Sequence, residues 1–306
     1  MSEKKAEPYL APILIVAYAR DQNLDRIISL VANRNRKLYV FVDGPANSEI
    51  LSNVLNVRRV VRDNAESIKE AMISESNFGV GRAIPAALDW IFEHENEIVI
   101  LEDDCIPSGE SLRYFDEMLQ YVKGDTALIS GSSPYFWSEI TKNNKITSSQ
   151  YPLIWGWATT KESWISISEY INSKARIRDC VFSLLRAPRK LLPFCYFLSA
   201  YINIKKGRLQ AWDSLIALNF LIKNKTALIP PYSLVVNIGN DSSASHDMSN
   251  SRFVFKEANI EIPELESLLV SSAKNERWKM DREIANEIYN IKLRNILSPI
   301  KAFIKK

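Results

Sequence analysis

"EIVILEDDCIPSGESLRYFDEML", Glu97 to Leu119, decides how the rest of the chain is read. Ile98-Val99-Ile100-Leu101 is an apolar run of strand length, and Glu102, Asp103 and Asp104 follow it with no spacer. Three adjacent carboxylates repel one another, so the end of a core strand is a costly place for them. One explanation is a solvated loop in which Asp104 or Ser108 caps the helix that starts beyond Pro107. The other is a cation at the strand end. Magnesium and manganese take oxygen ligands, often one or two carboxylates together with substrate phosphates.

The flanking sequence gives this strand a context. "PILIVAY" (12–18) and "LYVFVDG" (38–44) read as strands, and "RDQNLDRIISLVAN" between them carries Leu24, Ile27, Ile28 and Val31 at helical spacing. "VRRVVRD" (57–63) reads as a third, more polar strand, and "NAESIKEAMISES" (64–76) and "RAIPAALDWIFEHEN" as helices. "GESLRYFDEMLQYV" is an amphipathic helix and "TALISGSS" another strand. Strands alternating with helices imply an α/β fold with a mostly parallel sheet. Ligands of such sheets gather at the carboxyl ends of the strands, where Asp43 and the acidic triplet both fall.

Bulk properties narrow the classes. A chain of 306 residues with 46% hydrophobic and 25% charged residues can bury a large core. A net charge of +3 gives no general case for nucleic-acid binding. Cys105, Cys180 and Cys195 are widely spaced and odd in number, which argues against a disulfide framework or a zinc site and for a reducing compartment. The N-terminal stretch lacks the shape of a signal peptide, and no run reaches the roughly 20 apolar residues of a spanning helix.

"VILEDDCIPSGESLRYFDEML" resembles the metal-binding stretch of the GT-A glycosyltransferases, in the style of the N-acetylglucosaminyltransferase I family and its bacterial relatives. Five further segments stand in that family's order along the chain. "PILIVAYARD" is similar to its first strand and implies a nucleotide-contacting Arg20. "YVFVDG" implies that Asp43 faces the uracil. "FGVGRAIPAALDWIF" implies that Arg82 faces the diphosphate. "IWGWATTKESW" is similar to a Gly-Trp segment lining the sugar site, and "AWDSLIAL" to a Trp-Asp helix start carrying the catalytic base. The likeness covers roughly residues 10 to 250. It departs from the family at Trp212-Asp213-Ser214, where two acids often follow the tryptophan. A hydroxyl is far too weak a base, so the base is assigned to Asp213; a plain helix N-terminal acid is the alternative.

The resemblance implies a Rossmann-like GT-A domain over residues 1–260, with a nucleotide-sugar half at about 10–108 and an acceptor half at about 109–260, then a C-terminal helical extension over 261–306. It implies an inverting transfer from a nucleotide-diphosphate sugar, UDP-linked by the Asp43 match, to a glycan or lipid-linked acceptor in surface polysaccharide synthesis on the cytoplasmic side. Asp104 would hold Mn2+ or Mg2+, and Glu102 and Asp103 would accept from ribose or sugar hydroxyls. A metal-dependent nucleotidyltransferase, which also sets acids at a strand end, and a non-catalytic membrane adaptor that keeps the fold are the competing readings.

The remaining features are open at this level. His246, in the polar loop "VVNIGNDSSASHDMSN", is a metal ligand, a phosphate donor or a solvated loop residue. His94 reads as a helix-terminal cation. "GVGRAI" lacks the third glycine of a dinucleotide fingerprint and follows an expected helix, which excludes that motif. Of Trp155 and Trp157, one is expected to line the sugar site, here Trp157, and the other to enter the core. Nine basic residues and one acid lie between Lys174 and Arg208 around the uncharged run Leu191–Ile204, and five basic residues with interspersed apolar ones lie between Ile291 and Lys306. Both segments suit either an anionic membrane surface or packing on the domain.

Overall fold

The computed structural model describes residues 9–33, 35–135, 145–172, 191–209, 211–239, 270–271 and 273–291. His246, Trp137, Cys180, the basic residues 174–190 and the tail beyond Ile291 lie outside them. Eleven strands and eight α-helices are formed by the described residues. In chain order the first part runs β1 (Ile13–Ala17), α1 (Asp21–Val31), β2 (Leu38–Val42), α2 (Leu51–Asp63), β3 (Glu70–Ile73), α3 (Val80–His94), β4 (Glu97–Glu102), β5 (Cys105–Pro107) and α4 (Gly109–Met118). The second part runs β6 (Thr126–Ser130), β7 (Ile146–Ser149), β8 (Trp157–Thr160), α5 (Lys161–Asn172), α6 (Leu191–Lys205), α7 (Trp212–Lys223), β9 (Thr226–Ile229), β10 (Val235–Asn237), β11 (Val270–Ser271) and α8 (Lys274–Glu283).

Nine strands form one sheet in the order β11-β7-β9-β6-β8-β4-β1-β2-β3. β3, β2, β1 and β4 are parallel, β8 runs antiparallel between β4 and β6, and β9 returns parallel to β6. β1 and β2 are apolar at every position, and β4 at its four inner ones, because both faces are covered. Leu14, Val16, Tyr39, Phe41, Ile98 and Ile100 point to one face, packed with residues of α3, α5, α6 and α7. Ile13, Ile15, Val40, Val99 and Leu101 point to the other, with residues of α1, α2 and α4. The result is the expected mixed α/β architecture, a large and mostly parallel sheet between helices.

Two expectations are reversed in the first half. The expected strand "VRRVVRD" is the second half of α2, and the expected helix "NAESIKEAMISES" contains β3. Val54, Val57 and Val61 are the buried residues of α2, a helical stripe that its β-branched residues disguise. β3 is a four-residue edge strand, Glu-Ala-Met-Ile, whose helix-favouring residues yield to pairing with Tyr39–Val42. "GVGRAI" therefore follows an edge strand and not a helix; the missing third glycine still stands against the dinucleotide motif.

The C-terminal segment is more than a helical extension. β11 pairs with β7 at the sheet edge, and Met280, Ile284 and Ile291 are buried in the main core. Asp281 Oδ1 accepts from Ser149 Oγ at 2.7 Å and from the Gln150 amide at 2.8 Å. Residues 270–291 are thus built into the fold, and the sheet itself runs without a break through both expected halves.

Candidate functional site

The carboxyl ends of β1, β2 and β4 lie side by side, since Val16 is in register with Glu102 and Ala17 with Val42. β8 starts opposite the end of β4, Ile100 against Trp157, and carries the chain's Gly-Trp segment to the same edge. Four segments far apart in sequence therefore meet there.

Asp103 is the structural member of the triplet. It is 6% exposed at its side chain, accepts from the Tyr18 amide at 2.8 Å, and pairs with Arg20 Nη1 at 2.8 Å. Its own amide donates to the Val16 carbonyl at 3.1 Å. The same Arg20 nitrogen lies 3.5 Å from Asp104 Oδ2. Arg20 thus sits against the acids rather than pointing away from them, and it ties the end of β1 to the end of β4.

Glu102 and Asp104 hold their charge less easily. Burial, followed by the charges of Asp104, Asp103 and Asp213, pushes the Glu102 carboxyl well above the usual range, and Arg20 only partly offsets this. Burial and the Asp103 charge push Asp104 up to about 6, against the opposing pull of Arg20. Asp213 is the first-turn acid of α7, and its charge acts on Glu102, so the two ends of the resemblance converge in space. Ser214 beside it is buried.

A short antiparallel ribbon of β5 and β10 closes over Asp104. The Ile238 amide donates to the Asp104 carbonyl at 2.8 Å, and Asn237 Nδ2 approaches its Oδ1 at 3.4 Å. A side chain at Gly239 would collide with the Asp104 carboxylate. The ribbon depends on two more glycines beneath it. Gly131 would place a Cβ 2.6 Å from Val235 Cγ2; Gly156, with φ +65°, would place one at 2.7 Å. Gly156→Ala combines left-handed strain with overpacking and is expected to cost about 2–4 kcal/mol. Urea denaturation measures this, and a loss below about 0.5 kcal/mol would mean that the ribbon yields freely.

The other expected donor residues take different positions. Asp43 is 4% exposed, and each of its oxygens accepts twice: Oδ1 from the Gly44 and Phe78 amides at 2.8 Å, Oδ2 from the Gly79 amide at 3.0 Å and Asn77 Nδ2 at 3.2 Å. That fills a carboxylate's acceptor capacity. Asp43 thereby holds the loop before α3. Arg82 is exposed in the first turn of α3, with Nε 3.3 Å from the Phe78 carbonyl. Trp157 is fully buried against Trp212, ring centroids 6.1 Å apart, so its ring has no face for a ligand; Trp155 is the half-buried member of the pair. The indole N–H of Trp157 has no hydrogen-bond partner among the described residues.

Sequence reading missed an aromatic group beside Asp213. Tyr196 and Phe197 of α6, Tyr151 after β7 and Tyr289 after α8 form it, with Phe197 4.9 Å from Tyr289 and 5.1 Å from Tyr196 by ring centroids. Burial and then the Asp213 charge raise the phenols of both Tyr196 and Tyr289. The only signal in the sequence was the aromatic density of Leu191–Ile204, which reads equally as a surface-seeking segment.

Among the described residues no group of three or more His, Cys, Asp or Glu side chains is arranged to hold a metal ion by itself. The acids at the end of β4 nevertheless offer carboxylate oxygens, and Arg20 pairs with two of them, Asp103 and Asp104. A hard divalent cation sharing its shell with substrate phosphates needs only one or two protein carboxylates, so the residues fit that mode.

The chain matches no protein-family model and no curated protein. Among solved structures, S. aureus TarS 1–349 is similar over 52% of this chain and 48% of that one, at 9% identity and a TM-score of 0.36. The chain thus spans about half of that neighbour, and a likeness this distant carries neither a family nor an activity.

Proposed function

We propose that the protein is a metal-dependent glycosyltransferase that takes a sugar from a nucleoside-diphosphate donor and passes it to a hydroxyl of a glycan or lipid-linked acceptor. The observation that supports this most is the grouping of acids at the end of β4, where Arg20 pairs with Asp103 and Asp104 and the Asp213 charge acts on Glu102. Acids at the end of β4 and an acid on a separate helix start suit the two charge problems of glycosyl transfer, the leaving diphosphate and the attacking hydroxyl.

Asp104 would hold the cation, which when bound neutralises charge on the leaving diphosphate. Asp103 holds Arg20 in place, and Glu102 is left to accept from donor hydroxyls. Asp213 takes the proton of the acceptor hydroxyl as it attacks. A single base with no second carboxylate as nucleophile corresponds to inversion at the anomeric carbon. His246 is retained as a further ligand of metal or phosphate, Arg82 as a diphosphate contact and UDP as the nucleotide.

Product identity tests this reading. A panel of nucleotide sugars with Mn2+ or Mg2+ is expected to release nucleoside diphosphate. Pyrophosphate released from a nucleoside triphosphate, with no turnover of nucleotide sugars, would establish a nucleotidyltransferase instead.

The place of work is part of the same proposal. No helix among the described residues is long and apolar enough to cross a membrane. α6 is apolar nearly all round; Phe194 and Phe197 are buried, while Leu191 and Ile202 are 55% and 42% exposed. Lys205 ends it and Lys206 and Arg208 follow, all exposed. Peripheral binding to anionic vesicles is expected, weakened by salt because each basic side chain contributes about 1 kcal/mol through a screened attraction. Deletion of residues 292–306 should weaken it further and leave nucleotide-sugar binding intact, since Ile291 still fills its core position. Co-sedimentation at low and high salt measures this, and no binding at low salt would point to a soluble acceptor.

A further inference from the structure

One guanidinium nitrogen serves two acids at the end of β4, and serves them unequally. Arg20 Nη1 lies 2.8 Å from Asp103 Oδ1 and 3.5 Å from Asp104 Oδ2. The first is a charge-assisted hydrogen bond of ordinary length, and the second is an ion pair too long to bond well. Asp103 is committed on both oxygens, since its Oδ2 accepts from the Tyr18 amide at 2.8 Å. Asp104 is held more loosely. Its Oδ1 has two long contacts, to Asn237 Nδ2 and to the Cys105 sulfur, each at 3.4 Å. The Asp104 side chain is 18% exposed and that of Asp103 6%. Gly239 keeps a side chain off Asp104 Oδ2, where a Cβ would collide.

The two acids therefore differ in what they can give up. Taking Arg20 from Asp103 breaks a short pair and strands a nearly buried carboxylate, which is costly. Asp104 can exchange its long contact for another cation at little cost. We propose that Arg20 is a displaceable counter-ion that favours metal arriving with a diphosphate. It neutralises Asp104 in the metal-free protein, yields that carboxylate to a divalent cation, and stays on Asp103 throughout. A guanidinium this close repels a bare divalent cation, but a diphosphate on the metal reverses the sign of that interaction. This rests on the metal-dependent reading above and adds how the site manages its charge before and during loading.

The test reads metal binding and needs no turnover. Mn2+ is titrated into the full chain and free metal is followed by EPR, with and without saturating UDP. Arg20→Gln should bind bare Mn2+ at least about 10-fold more tightly than wild type, although it melts lower for want of the Asp103 pair. A merely structural role would weaken metal binding together with the fold. Arg20→Lys keeps the charge and should recover most of the wild-type value. With UDP present the gain of Arg20→Gln should disappear. A second measurement needs no variant: the wild-type Arg20 guanidinium signal in 15N NMR should move on addition of Mg2+. Bare Mn2+ affinity in Arg20→Gln equal to or below a measurable wild-type value, the same gain with and without UDP, or an Arg20 signal that stays still under saturating Mg2+ would overturn the proposal and leave the metal reading in place. Absence of Mn2+ binding in wild type and Arg20→Gln alike, with and without UDP, would overturn both.

Discussion

Asp213→Asn is expected to lower kcat by at least about 100-fold while donor affinity stays within a factor of two. The substitution keeps the shape of the side chain and removes its basicity, and a positioned general base contributes on that scale. The residue sits in the first turn of α7, directly after a buried Trp212 that fixes the helix start against Trp157. The amide can occupy the same position but cannot accept the acceptor's proton. Removing the charge also relieves one of the pressures on Glu102, so donor binding has no reason to weaken. Steady-state kinetics with saturating donor read the split. Loss of donor binding with kcat preserved would make Asp213 a binding residue.

Asp104→Asn is expected to abolish metal-dependent donor binding and, at neutral pH, to stabilise the metal-free protein. The two effects have one cause. Asp104 has a folded-state pKa of about 6 against an ordinary 3.8, so the native state holds a proton that the unfolded chain has released. Between about pH 4 and pH 6 the native protein binds more protons than the unfolded one, and stability falls as pH rises. Above about pH 6 the full penalty is present, on the order of 2–3 kcal/mol for a shift of about two units. The asparagine does not ionise and escapes it. In chelator at pH 7.5 the variant should melt higher than the wild type, and the difference should vanish near pH 4. A variant less stable than the wild type at pH 7.5 would mean that Asp104 supports the fold rather than a ligand.

The two halves of the chain were not equally legible. β1, β2, β4 and β6 announce themselves because a strand covered on both faces must be apolar throughout, and the acids at the end of β4 interrupt that pattern abruptly. α2 and β3 were exchanged because local propensity pointed the wrong way in each: valines at helical spacing in one, helix formers in an edge strand in the other. β11 has two residues, too few for any periodic signal. At the site, the chemistry of the triplet was readable but the division of labour inside it was not. Asp103 looks equivalent to its neighbours in sequence, and only its bonds to Tyr18 and Arg20 separate it from Glu102 and Asp104. Asp43 shows the same limit. The family resemblance set it facing the uracil, and the four donors that it accepts from in the fold were not visible in the sequence. Tyr196 and Tyr289 reach Asp213 from segments on either side of α7, a convergence that no local pattern encodes.

Thermal shift of the wild-type protein with nucleotide sugars, with and without Mn2+ or Mg2+, tests the central claim most directly, because a ligand bound to the native state raises its melting temperature. At a ligand concentration of about 100 times Kd the stabilisation is about 2.7 kcal/mol, ample to detect. The account predicts a clear rise for at least one nucleotide sugar only when the metal is present, and none for either component alone. No rise with any nucleotide sugar in the presence of either metal would contradict it.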